Sequence, residues 1–317
     1  MKLLISSSHD PYWNLATEEY LLKNSTEDYL FIYVNKPCVV VGKHQIAQKE
    51  INAPFIVSNK ILVARRLSGG GTVYHDEGNL NFSFIQSIAL SESVSYKSIT
   101  EPMFLYLKQL VPEIYLSERN DILLKGNKIS GSAMHIYKNR VLAHATLLID
   151  CNLDNLSFSL KANKDRFFDK SIASNRSSVM NLSEASPRIS VGYVIEYFYS
   201  KGILEAASIT LPEETITPIL DLVRTKYATE DWIFGYSPKY IYHNQIFNNN
   251  TYFSYKLEVI RGTIQQVIIE SEDSLTDDIL LKLKTLQGQK HNIYALGQKL
   301  IANTTHNFNR ILYESLF

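Results

Sequence analysis

Apolar and polar positions along the chain alternate with two different periods, and the change of period marks its elements. Residues Tyr29–Val34, Cys38–Val41 and Ile61–Ala64 are short runs of β-branched and aromatic residues and predict strands. Asn79–Ile85 alternates, with Leu80, Phe82 and Phe84 on one face. Arg140–Asp150 predicts a strand in which Val141, Ala143, Ala145, Leu147 and Ile149 share one face. Leu142, His144, Thr146 and Leu148 share the other, so a polar pair interrupts an apolar surface. Helical spacing covers Thr100–Leu110 and Val191–Tyr199, the latter begun by Pro187 and ended by Gly202. Near the start, Asn14 reads as a helix N-cap, with Glu18 and Glu19 in the first turn. Thr72–Tyr74 predicts a further strand after a run of glycines.

After the polar stretch Gly235–Asn250, Tyr252–Ile260 and Ile264–Glu270 predict a hairpin around Arg261-Gly262-Thr263. Helices follow near Asp277–Gln287 and Tyr294–Ile301. Strands and helices mix without regular βαβ alternation, which predicts an α+β fold with a mixed sheet. The expected division is a catalytic domain over residues 1–246 and a small α+β accessory domain over 247–317.

At 317 residues the chain can bury a core without disulfides, and its two cysteines, Cys38 and Cys151, have no metal-site spacing. A reducing compartment is expected, the cytoplasm first, with a mitochondrial home left open. No apolar run approaches a membrane span. Lys plus Arg equals Asp plus Glu, at 32 each, which argues against a nucleic-acid partner.

Two segments carry chemistry. Residues 65–79 read Arg-Arg-Leu-Ser-Gly-Gly-Gly-Thr-Val-Tyr-His-Asp-Glu-Gly-Asn. Three glycines between strands let the backbone approach a ligand, and exposed amides in such a turn attract anions. Arg65 and Arg66 add forked cationic donors suited to phosphate or carboxylate. The second segment opens at the turn Lys125-Gly126-Asn127-Lys128. Beyond it, Ser130, Gly131, Ser132 and Ala133 leave room for a ligand beside Lys128, which can act as a point charge on an oxyanion or α-phosphate. Gly126–Gly131 has the glycine spacing of a P-loop, but Ser132 stands where lysine is required.

The chain resembles the lipoate–protein ligase A family of the biotin/lipoate protein ligase superfamily. The resemblance rests on RRxSGGGxVxHDxGN at Arg65–Asn79, Arg119-Asn120-Asp121, KxSGSA at Lys128–Ala133 and His-x-Thr-Leu at His144–Leu147. Pro11-Tyr12-Trp13-Asn14-Leu15-Ala16 and Trp232-Ile233-Phe234-Gly235 extend it over nearly the whole chain. The chain departs from the family's usual Gly-Arg-x-Gln-Asn at Gly42-Lys43-His44-Gln45-Ile46, and has Ala143-His144 where paired histidines are common.

The resemblance implies a biotin/lipoate-ligase-type catalytic domain that activates lipoate with ATP and magnesium and passes the lipoyl group to a lysine of a partner. It implies ATP contacts at Arg66, Gly71, Thr72, Val73, Tyr74 and Lys128. Lipoate contacts are implied at Arg65, Ser68, Gly69, Gly70, His75, Lys128 and His144. Lys128 would be the catalytic residue and Asp121 a magnesium ligand. Implied partners are lipoate or octanoate and lipoyl-domain proteins, namely E2 subunits of 2-oxoacid dehydrogenases and the glycine-cleavage H protein; a monomer is expected. Two alternatives are an ATP-independent octanoyl or lipoyl transferase and a non-catalytic lipoate-binding module. One kind of transferase uses a cysteine upstream of the lysine motif, and Leu116–Leu124 contains none.

Overall fold

The computed structural model describes residues 1–88, 96–118, 121–162, 164–172, 174, 177–201, 209–248, 251–270, 277–296 and 315–317. Arg119, Asn120, Gly202, Asn249 and Asn250 lie outside these residues, as does the last expected helix from residue 297 onward.

The central sheet has five strands: β1 (Lys2–Ile5), β2 (Tyr29–Val34), β6 (Asn79–Ser87), β11 (Arg140–Leu148) and β10 (Ser132–Tyr137), in the spatial order β1-β2-β6-β11-β10. Only the β1–β2 pairing is parallel, so the sheet is mixed, as the pattern predicts. Beside it lie a sheet of β4 (Leu62–Arg65), β3 (Cys38–Val41) and β5 (Val73–His75), and another of β7 (Tyr115–Leu116), β8 (Ile122–Leu124) and β9 (Asn127–Ser130).

Alternation on β11 divides the core as expected. Val141, Ala143 and Leu147 pack with Leu80, Phe82 and Phe84 of β6 beneath Met103 and Leu107. Leu142 faces the opposite core, which holds Leu15, Leu21 and Leu22 of helix α1 (Pro11–Asn24). His144 shares that second face, and its register partner on β6 is Ser83.

Helix α1 begins earlier than expected. Asp10 is the N-cap, accepting from the Tyr12 amide at 2.9 Å, with Pro11 in the first turn. Asn14 is therefore an interior, fully buried residue whose amide bonds other elements.

The tail sheet runs β12 (Phe167–Asp169), β13 (Tyr240–Asn248), β14 (Thr251–Ile260), β15 (Thr263–Ile269). Arg261 and Gly262 both take positive φ (49° and 69°), the geometry of a tight hairpin turn. The expected division at 246/247 falls inside β13, and β12 enters this sheet from the middle of the chain. Val39 and Val41 of β3 share one core with Tyr240, Tyr255 and Leu257 of the tail. Among the described residues no helix is long and apolar enough to cross a membrane.

Candidate active site

Residues that are distant in the sequence pin the glycine turn. Gly42 lies so close beneath it that a Cβ there would stand 2.1 Å from the Gly70 carbonyl oxygen. Gln45 then ties the turn down. Its Oε1 accepts from the Gly42 amide (2.9 Å) and the Thr72 hydroxyl (2.8 Å), while its Nε2 donates to Ser174 Oγ (3.0 Å). Gly70 sits at φ +87°, a conformation costly for any other residue. The amides of Gly69, Gly70 and Gly71 donate to no backbone acceptor among the described residues, which leaves them available to an anion.

The two arginines part company. Arg66 shapes the turn: its guanidinium donates to the carbonyls of Val40 (3.1 Å), Gly69 (2.7 Å) and Gly71 (2.7 Å) and to Ser68 Oγ (3.0 Å), and its side chain lines a chamber. Arg65, expected at the lipoate, instead points into the core. It is fully buried and donates to the carbonyls of Gly42, Lys43, Gln45, Trp232 and Ile233 at 2.6–3.0 Å. Successive strand residues face opposite ways, so only one of the pair can reach the ligand. Trp232 answers by donating its indole N–H to the Arg65 carbonyl at 2.8 Å, which accounts for the Trp-Ile-Phe-Gly motif. Burial and the neighbouring Arg66 lower the Arg65 pKa to about 9, which still leaves it cationic at neutral pH.

Two chambers meet at Lys128. The first, about 320 Å³, is lined by Leu15, Tyr33, Val40, His75 and His144 together with Gly70 and Gly71. The second, about 480 Å³, is lined by Tyr74, Leu148, Leu153, Leu156 and Val179. Lys128, Thr72, Val73, Gly131 and Thr146 line both. A Cβ on Gly131 would lie 3.1 Å from Lys128 Nζ, so the small residue makes room for the lysine. Lys128 Nζ pairs with Asp121 at 2.9 Å, and both side chains are only partly exposed. Gly69 lines neither chamber, and its carbonyl serves Arg66.

Behind the wall of the first chamber, which only His144 of the three lines, Ser68, His144 and Glu18 form a polar chain that the sequence does not by itself reveal. Ser68 Oγ contacts His144 Nε2 at 2.6 Å, and His144 Nδ1 faces both oxygens of Glu18 at 3.3 Å. Glu18 also accepts from Tyr33 OH (2.9 Å) and Ser83 Oγ. A carboxylate accepts only, so the Nδ1 of His144 donates to Glu18. One signal of this was present: Glu18 shares the helix face of Leu15 and Leu22, where a charge is out of place unless something answers it.

No group of three or more His, Cys, Asp or Glu among the described residues could hold a metal ion alone. A magnesium carried on a triphosphate needs only one or two protein carboxylates, and Asp121 beside Lys128 meets that requirement. Cys38 and Cys151 are buried free thiols whose pKa is pushed up by burial, which suits core residues and not a nucleophile.

Residues 10–201 match the family model for the lipoyl protein ligase A/B catalytic domain. The chain belongs to this family. Lipoate-protein ligase LplJ of Bacillus subtilis is 35% identical over 316 residues, covering 96% of this chain and 95% of that one. Lipoate–protein ligase 1 of Staphylococcus aureus is 35% identical over 92% of this chain and 90% of its own. Among solved structures, lipoate-protein ligase A bound with ATP superposes with a TM-score of 0.62 at 27% identity, covering 74% of this chain and 98% of that one. A putative lipoate protein ligase from T. acidophilum with bound lipoic acid gives 0.59 at 26%, with the same coverage. These lipoyl ligase relatives share the mixed-sheet α+β architecture found here.

Proposed function

We propose that this chain is an ATP-dependent lipoate–protein ligase, which forms lipoyl-adenylate and passes the lipoyl group to a lysine of a lipoyl-domain protein. The observation that carries the reading is the position of Lys128 where a chamber with Leu15, Tyr33 and Val40 in its wall opens into a second one, beside glycine amides that meet no acceptor among the described residues. An acyl chain suits the first chamber, with its carboxylate at Lys128. A nucleotide suits the second, its base against Val73, Tyr74 and the leucines. Relatives with solved structures bind lipoic acid and ATP.

In the first step the lipoate carboxylate attacks the α-phosphate and pyrophosphate leaves. Two anions must approach each other, so fixed positive charge and oriented amides have to offset their repulsion. Lys128 supplies the charge between the chambers; the Gly70 and Gly71 amides supply donors; Arg66 holds the turn that presents them. Asp121 holds Lys128 extended and would hold magnesium, which neutralises phosphate charge when bound. In the second step the acceptor amine attacks the lipoyl carbonyl and AMP leaves, with Lys128 now facing the developing oxyanion. Walls that exclude water protect the mixed anhydride meanwhile. His144, held by Ser68 and Glu18 behind it, borders the acyl chain, as does His75.

The acceptors are E2 subunits of 2-oxoacid dehydrogenases or the glycine-cleavage H protein, and the tail sheet is read as the accessory unit beside which they are modified. The work is assigned to the cytoplasm, consistent with the two free thiols. Incubation with lipoate, magnesium-ATP and purified lipoyl domains, followed by mass spectrometry, tests the assignment. The domain is expected to gain one lipoyl group only when ATP is present. Equal modification from an acyl-carrier donor without ATP would establish the transferase instead.

A further inference from the structure

In the wall of the first chamber a buried N–H meets no acceptor among the described residues. Asn14, inside α1, donates through Nδ2 to the Ser8 carbonyl (3.0 Å) and accepts from the Ser6 hydroxyl at 2.7 Å, which fixes the orientation of its amide. The same Nδ2 donates to Asn35 Oδ1 at 2.8 Å, and Asn35 is thereby turned with its Nδ2 toward His75 Nδ1, 3.0 Å away. An amide nitrogen only donates, so His75 Nδ1 must accept. Burial, with Arg66 and His144 nearby, lowers the His75 pKa to about 3, and the ring is neutral at physiological pH. Its single proton therefore lies on Nε2. His75 is 4% exposed, and Nε2 has no hydrogen-bond partner among the described residues.

A buried donor left without an acceptor is costly, and such groups in native proteins call for an explanation. His75 lines the first chamber and not the second, and shares it with Leu15, Tyr33 and Val40, which also line the first alone. On the ligase reading, which this inference rests on, the acid's carboxylate is taken by Lys128. The only other polarisable acceptors on lipoate are the two sulfurs of its dithiolane.

We propose that the Nε2–H of His75, aimed by the Ser8–Asn14–Asn35 relay, is a specificity donor for the sulfur-bearing end of the acyl substrate. It selects lipoate over acids of similar length that end in hydrocarbon. A saturated end offers this donor only C–H groups, while a sulfur is a weak but real acceptor.

The test compares lipoate with 5-cyclopentylpentanoate, which keeps the five-membered ring and removes both sulfurs. Affinity by calorimetry and kcat/KM for pyrophosphate release are measured on the full chain. Wild type is expected to prefer lipoate by about tenfold, the size of a weak hydrogen bond gained against one left unmade. In His75→Phe, and in Asn35→Leu where the tautomer is unlocked, the two acids should come within roughly twofold of each other. A preference that survives both substitutions, or is missing from wild type, overturns the proposal. A nitrogen-resolved imidazole spectrum of the wild type needs no variant to fold. It should show the Nε2–H form from pH 8 to pH 5, with that proton shifting on addition of lipoate and not of the carbocyclic acid; an Nδ1–H form would contradict the relay. Equal binding of both acids removes this inference and leaves the ligase reading standing. Binding of neither refutes the ligase reading, and the inference with it.

Discussion

Arg65 and Arg66 are adjacent, equally charged and equally suited to an anion, yet one lines a chamber and the other is enclosed by carbonyl oxygens. The fork of Arg65 reaches carbonyls on two separate segments, near Gly42 and near Trp232, which a lysine's single ammonium cannot do. Arg65→Lys is therefore expected to cost about 2–4 kcal/mol of stability, the range for breaking a buried charged network. Urea unfolding of the variant checks this, and a loss below ~0.5 kcal/mol would show the network to be dispensable. The choice between the two arginines was not legible in the sequence, because it depends on which strand face is covered at that point. That Lys128 and His144 face one chamber was legible, the first from the small residues around it and the second from its place in an apolar alternation. Glu18, Asn35, Gln45 and Ser174 escaped, since each matters only through partners far along the chain.

At the scale of elements, the glycine turn owes its shape to the segment after β3 as much as to its own glycines. The segment Gly42-Lys43-His44-Gln45-Ile46 departs from the family pattern at Lys43 and Ile46, but the groups that touch the turn are Gly42 and Gln45. Gly42→Ala places a methyl group against the Gly70 carbonyl, and backbone must move to admit it. Adenylation is expected to fall by more than about tenfold, because small misplacements of reacting groups are expensive. Far-ultraviolet circular dichroism should remain close to wild type; full activity in Gly42→Ala would show that the turn is not held from below. Seven of the described strands (β1, β7, β8, β9, β10, β12 and β13) had no prediction, β13 lying in the stretch Gly235–Asn250 read as polar, whereas the eight that were predicted end within a residue or two of those observed. The start of α1 was missed, because Asn14 looks like a cap until Asp10-Pro11 is recognised as the stronger signal.

Across the whole molecule, the tail is joined to the catalytic body by a shared core and by a bond from Gln48 Nε2 to the His291 carbonyl, while further buried polar bonds tie the tail to itself. His291 donates from Nε2 to the Leu316 carbonyl (2.9 Å) and accepts from Tyr240 OH on Nδ1 (2.7 Å); the Ser315 carbonyl accepts from Tyr242, Asn244 and Tyr255. Burial lowers the His291 pKa from its usual 6.5 to about 4. The unfolded chain thus takes up a proton below pH 6.5 that the folded chain refuses until about pH 4. Stability is full above 6.5 and falls as pH drops through this window, and His75, lowered to about 3, adds a loss of the same sign. Urea midpoints measured from pH 7 to pH 4 should decline, and His291→Gln should flatten the decline even where it lowers stability at pH 7. An unchanged slope in that variant would mean that other groups govern acid lability. That β12 completes the tail sheet was not legible either, since a three-residue strand beside a distant partner leaves no periodic trace.

The central claim is that Lys128 joins an acyl chamber to a nucleotide chamber so that two anions can condense. Lipoate-dependent exchange of labelled pyrophosphate into ATP, with no acceptor present, reads that step alone. Wild type should exchange label only when lipoate is added, and Lys128→Ala, folded by circular dichroism, should lose the exchange by about a thousandfold or more. Exchange at the wild-type rate in Lys128→Ala would contradict the account.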